Sequence, residues 1–363
     1  MDNVHNREVQ VSEVIITRSA FRRYKVKKRL KTTLAVAAII VPVSLVGAGA
    51  AYYSELESSI QTADVRDLVN FDENATGANH DDVDGDEEMD QIDIPNGSST
   101  YMVVGIDEEE DGFERSDALV LAHLPEDRSY LDIVSIPRDS MVTIPDCQTS
   151  DGDIVDGQSS AMINSAFAVG NSVDESVACT QRTIEENANV TVDGFAVVDF
   201  QGFENVVDAL GGIEIELEED LASDTFNAEE GVHVLDGAEA LDFARVRKLD
   251  EGGEGTGSDL ERVERQQQLM SAIIDEALAS YRNPIDAHNM ASAVLDMTTV
   301  SEDLGSIPSV LGLAESIDDI PEDSINFHTV PNKPWANDPN RVVWTDEADS
   351  YWEAMNDDEP VDE

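Results

Sequence analysis

Residues 194–217 read GFAVVDFQGFENVVDALGGIEIEL. GFAVVDF has the apolar density of a buried strand, and QGFENVVDALGG that of a helix closed by glycines. IEIEL then alternates as a half-exposed strand does. A strand, a helix and a strand in immediate succession are the repeating unit of an α/β fold. Working outward, TYMVVGID (100–107), DALVLAHL (117–124) and YLDIVSIP (130–137) read as three strands. DESVACTQRTIEENA (174–188) and DGAEALDFA (236–244) are helical, and Asp259 to Tyr281 is one long helix with Leu260, Val263, Met270, Ile274, Ala277 and Tyr281 on a stripe. SINFHTV (324–330) is a late strand, and TDEADSYWEAM (345–355) a final helix. The expected fold class is α/β, an α-β-α sandwich with a mixed central sheet, over residues 99–363.

The first hundred residues differ. Nine of the 22 Lys and Arg precede Leu34, and Leu34–Tyr53 follows without a charge. That run of 20 residues predicts a transmembrane helix. The positive-inside rule places the basic tail, 1–33, in the cytoplasm. A single-pass protein of the cell membrane results, with its large domain outside. A cleaved signal peptide is the alternative, but the basic region and the apolar run are both long for one. Residues 54–98 then form a juxtamembrane segment and a disordered acidic linker, ENATGANHDDVDGDEEMDQIDIPNG (73–97). Cys147 and Cys179 fall in the external part, where a disulfide is the default.

The chain holds 78 Asp and Glu and carries a net charge of −56. Such a surface excludes nucleic acid as a partner, because phosphate backbones are bound by positive charge. Thirteen basic residues serve everything after Leu34, and Arg245, Arg247, Lys248, Arg262 and Arg265 are five of them. They flank the glycine-rich loop EGGEGTG, so an anion belongs there. In FARVR, Arg245 and Arg247 point the same way if the chain is extended, which suits a pyrophosphate. In a helix they diverge by about 200°. Asp259, Arg262 and Gln266 share one helix face, while Arg265 lies off it and reads as solvated.

Asp107 ends one strand and Asp117 opens the next. Two carboxylates at one end of a sheet can hold a divalent cation, although in so acidic a chain a close pair is more often plain surface. Arg138 and Asp139 follow a strand directly, where open α/β sheets gather ligands. A pair capping its own turn reads equally well there. No P-loop, nucleophile elbow, zinc signature or Cys-x-x-Cys occurs.

The ordered set VVGID, ERSDALVLAHL, IVSIPRDSMV, MINSAFAVGN, VVDFQGFENVVDALGGIEIEL, VLDGAEALDFARVR and SDLERVERQQQL resembles the LytR-CpsA-Psr family. The resemblance implies an extracytoplasmic enzyme that moves a glycopolymer from a polyprenyl-pyrophosphate carrier to peptidoglycan, forming a phosphodiester. It implies Mg²⁺, or Mn²⁺, on Asp107 and Asp117. Arg138, Arg245, Arg247, Arg262 and Gln266 match the pyrophosphate-binding groups. Asp259 matches the acidic residue heading the long helix, and Asp139 and Asn164 stand at motif positions. The hydroxyl proton would go to Asp117 or Asp259. Met162 stands where many members have lysine, so one phosphate contact is missing or comes from elsewhere. A polyprenyl-pyrophosphate hydrolase and a non-catalytic lipid-carrier-binding regulator of the envelope are the alternative readings.

Overall fold

The computed structural model describes residues 61–71, 97–107, 115–246 and 259–361, all within the unit Tyr52–Glu363. The side chains of residues 107, 115, 259–264, 296 and 297 lie outside that description. Seven strands form the central sheet: β1 (Gln61–Ala63), β2 (Ser99–Asp107), β3 (Arg115–Leu124), β4 (Leu131–Ser135), β5 (Gly194–Asp199), β6 (Thr298–Ser301) and β7 (Ile325–Thr329). Their spatial order is β1-β6-β5-β2-β3-β4-β7. The β1–β6, β5–β2 and β4–β7 pairs are parallel and the other three antiparallel. The sheet is mixed, as the sequence predicts.

Both faces of the middle strands are buried, which is why they read as nearly continuous apolar runs. Successive residues point to opposite faces. Met102, Val104, Leu119, Leu121, Val134, Phe195 and Val197 turn to one side. There they meet Val177, Ala178 and Ile184 of α1 (Val173–Ala188), and Ala348, Trp352 and Met355 of α7 (Glu347–Asn356). Tyr101, Val120, Leu124, Leu131, Ile133 and Val300 turn to the other. They pack on α4 (Asp259–Tyr281), α5 (Pro284–Met297) and α6 (Ile307–Asp318) through Met270, Ile274, Ala291, Leu295 and Val310. The result is a three-layer sandwich. Fully buried side chains such as Met102 and Leu121 each contribute about 1.5–3 kcal/mol.

A smaller core lies outside the sheet. It joins α2 (Phe200–Leu210), α3 (Gly237–Arg245), α4 and the hairpin of Ile213–Leu217 with Gly231–Leu235. Residues 194–217 supply its frame. Asp199 caps α2 by accepting from the Gly202 N–H at 2.5 Å, and Gly211 and Gly212 close it with φ of 90° and 95°. A Cβ at Gly212 would lie 2.9 Å from the Leu235 carbonyl oxygen, so glycine is required there. An Asp236–Glu239 capping box starts α3.

Cys147 and Cys179 form a disulfide with Cα atoms 5.4 Å apart, tying the loop before Asn164 to α1. Upstream of Ser99, Gln61–Ala63 pairs in parallel with β6, and Ala63, Val65 and Val69 enter the main core. These residues belong to the sheet rather than to a free segment.

The expected membrane span is corrected. No helix among the described residues is long and apolar enough to cross a membrane. Leu34–Tyr53 lies outside the described residues, as do the basic tail and nearly all of the acidic linker. The transmembrane helix, the single-pass topology and the placement built on them are therefore withdrawn.

Candidate functional site at the carboxyl edge of the sheet

Strands β2, β4, β5 and β7 run in one direction and β3 runs against them. Their C-terminal ends and the start of β3 therefore share one edge. Asp107 ends β2, opposite Arg115. The register then slips, because Ile106 faces Ser116 while Gly105 faces Ala118. Asp117 is the extra residue of this bulge, a device that re-aims a side chain. On the other flank Asp199 stands level with Ile106.

Arg138 follows β4 and its Nη1 donates to Asp117 Oδ1. The two side chains are 24% and 28% exposed, so the pair is only partly screened. The partner of Arg138 is thus Asp117, and not its neighbour Asp139, whose carbonyl accepts from the Val342 N–H at 3.2 Å. The turn is fixed on three sides. Ser140 is fully buried, its carbonyl accepts from the Ile163 N–H at 2.8 Å, and its hydroxyl accepts from Trp344 Nε1 at 3.1 Å. The Asn164 N–H donates to the Arg138 carbonyl at 3.3 Å.

Asn164 is 5% exposed, and its Oδ1 has no partner among the described residues. Arg138 Nε is likewise buried and unpartnered there. An unsatisfied buried polar group costs about 1–3 kcal/mol, so Arg138 Nε marks a place that a ligand acceptor would complete and Asn164 Oδ1 one that a donor would complete.

The basic stretch corrects two expectations. Helix α3 runs through Arg245, so FARVR is not extended at that point. The chain leaves the helix only at Val246. The guanidinium of Arg245 lies 3.7 Å above the ring of Phe200. Arg265 is not solvated. It is 9% exposed, and its Nη2 donates to the Val246 carbonyl at 2.9 Å. The reason is geometric: Arg265 is one turn before Leu269, which packs in the smaller core, so the buried stripe of α4 is wider than the periodicity implies. Gln266 is half-buried. Its neighbour Gln267 reaches the His328 carbonyl and Thr329 Oγ1 at the carboxyl end of β7, each at 3.4 Å.

The structure therefore brings Asp117, Arg138, Asp139, Asn164 and the end of β2 at Asp107 to one edge, with Arg245 linked to it through Phe200 and Asp199. Arg247 lies outside the described residues, as do the side chains of Asp107, Asp259 and Arg262. Sequence reasoning missed Ser140, Trp344 and Phe200. Among the described residues no group of three or more acidic, His or Cys side chains is placed to hold a metal. Mg²⁺ takes one or two carboxylates and keeps waters or phosphate oxygens, so Asp117 with Asp107 has the right donor chemistry. A cavity of about 410 Å³ opens at the opposite edge, bordered by Asp64, Glu185, Asp193 and Glu302, and contains none of these residues.

Residues 68–358 match the model of the LytR-CpsA-Psr family. The chain is 30% identical over 254 residues, 68% of its own length and 74% of the relative's, to a Bacillus cereus protein named polyisoprenyl-teichoic acid–peptidoglycan teichoic acid transferase TagU. The TagU of Oceanobacillus iheyensis is 30% identical over 201 residues, and the match spans 57% of that protein. Bacillus subtilis TagT is 33% identical over 193 residues, 53% of its length. The chain thus spans little more than half of several relatives. Among solved structures, B. subtilis TagV superposes with a TM-score of 0.58 at 23% identity, covering 74% of this chain and 100% of that one. "TagT bound to LI-WTA" gives 0.54 at 23% identity, covering 75% and 94%. At such identity these likenesses speak to the fold.

Proposed function

The chain belongs to the LytR-CpsA-Psr family, and from that premise we propose that it is a phosphotransferase moving a glycopolymer from a polyprenyl-pyrophosphate carrier to peptidoglycan through a phosphodiester. The observation that supports this reading best is Arg138 at the carboxyl edge, held through Nη1 by Asp117 and with its buried Nε unpartnered among the described residues. A guanidinium held by one carboxylate still has donors to offer a phosphate. Names of relatives as teichoic acid transferases support the substrate class.

The roles follow from charge. Arg138 and Arg245 neutralise the pyrophosphate, with Arg247, Arg262 and Gln266 as further contacts. The Nδ2–H of the buried Asn164 side chain would donate to a phosphate oxygen, and Asp139 shapes the turn that carries Arg138. Asp107 and Asp117 would hold Mg²⁺, which when bound supplies additional neutralisation of phosphate charge. A hydroxyl of the acceptor attacks phosphorus, its proton passes to Asp117 or Asp259, and the bond to the lipid phosphate breaks, releasing polyprenyl phosphate. Donors fixed before the reaction stabilise charge as it builds, without reorganisation.

The test is release of polyprenyl phosphate from a synthetic polyprenyl-pyrophosphoryl sugar, with and without peptidoglycan fragments. The proposal expects release to rise with acceptor and the sugar to become joined to it. Equal release with and without acceptor would instead identify a hydrolase. Binding without release would identify a carrier-binding protein.

A further inference from the structure

We infer that Phe200 is a positioning residue that holds Arg245 toward the carboxyl edge; this rests on the transferase reading above. Arg245 is exposed and ends a helix, a place where a long side chain ordinarily samples many rotamers. Here its guanidinium carbon lies over the Phe200 ring, 3.7 Å from the centroid, well within the range of cation–π attraction. Contact with a ring face takes no hydrogen-bond acceptor, so the N–H donors of the guanidinium stay available to an anion.

The ring is itself placed by the sheet. Phe200 is the first residue of α2, directly after the cap Asp199. The Asp199 carboxylate accepts from the Gly202 N–H at 2.5 Å, which fixes the first turn. Asp199 pairs with Ile106, one residue before Asp107. A continuous path of short, defined links therefore runs from the edge of β2 through β5 to Arg245. From the other side, Val246 is held by Arg265 at 2.9 Å. The chain is thus held at Val246, directly after the arginine, by one contact, and the arginine's tip by the other. Ordering such a side chain in advance removes the entropy loss that anion binding would otherwise incur.

The test compares Phe200→Leu, which keeps apolar volume without a π face, with Phe200→Tyr, which keeps the face. Both are made in the parent chain, and Phe200→Leu also in an Arg245→Ala background. Phe200→Leu should lower kcat/KM about threefold to fivefold, the range of an exposed cation–π contact. Phe200→Tyr should restore it, and Phe200→Leu should add nothing once Arg245 is gone. An independent measurement needs no turnover. The side-chain proton resonances of Arg245 should show an upfield ring-current shift in the parent and in Phe200→Tyr, lost in Phe200→Leu.

Additive losses in the double variant, or no ring-current shift in the parent, would overturn the positioning role. If Arg245→Ala itself turns over at the parental rate, the assignment of Arg245 to the pyrophosphate fails first and takes this role with it.

Discussion

Replacing Arg265 with alanine removes the clamp between α4 and the basic stretch. In the folded protein its guanidinium is 9% exposed and donates to the Val246 carbonyl at 2.9 Å. A hydrogen bond from a charged donor is worth about 1.5–3 kcal/mol, and the carbonyl left behind adds to the loss. The packed stem of the side chain leaves a void as well. Together these give a destabilisation of about 2–4 kcal/mol. For a domain of this size each kcal/mol moves the melting temperature by about 2–4 °C, so a drop of roughly 5–15 °C is expected. Because Val246 sits between Arg245 and Arg247, activity should fall beyond the loss of folded protein. Thermal and urea denaturation followed by circular dichroism measure the first effect, and kcat/KM at a temperature where the variant is fully folded measures the second. A variant that melts within about 1 °C of the parent, with unchanged kcat/KM, would show that Arg265 does not organise this region.

The Cys147–Cys179 bridge closes a loop with a sequence separation of 32. Its removal in a Cys147→Ser, Cys179→Ser variant should cost about 4 kcal/mol, read as a lower urea midpoint, and equal midpoints would contradict it. Burial lowers the pKa of His123, against the pull of Asp358 and Asp132. Its neutral form therefore contributes stability that is complete above about pH 6.5 and lost as the pH falls toward the folded value. The parent should lose stability relative to His123→Gln between pH 7 and pH 5, and a constant difference in urea midpoints would refute this. With a net charge of −56, the melting temperature should rise with salt as the Debye length drops below about 10 Å, and a flat profile would count against self-repulsion.

The sheet was largely legible because its strands advertise themselves locally. TYMVVGID and DALVLAHL are apolar on both sides, and Asp259 to Tyr281 matches α4 end to end. Contacts between distant parts were not legible. The strand Gln61–Ala63 is too short to stand out, and its partner β6 lies more than 230 residues away. The bulge that turns Asp117 toward Arg138 depends on a register slip that neither strand encodes alone. Helix α3 extends through Arg245 because its capping box and buried Leu241 and Phe243 favour a helix over the alternation of two arginines. Arg265 reads as solvated yet is buried, because a helix stripe shows which side chains share a face, but not how wide a neighbour will bury it. The candidate site is clearer in kind than in detail: Asp107, Asp117 and Arg138, at strand ends in the sequence, lie at one edge of the sheet, whereas their partners come from the fold.

The most direct measurement is a crystal structure with a soluble polyprenyl-pyrophosphoryl sugar bound. Both phosphates should lie at the carboxyl edge, within hydrogen-bonding distance of Arg138 and Arg245 and beside the buried amide of Asn164. Phosphates seated in the cavity at the opposite edge, near Asp64 and Glu185, or bound away from both arginines, would contradict it.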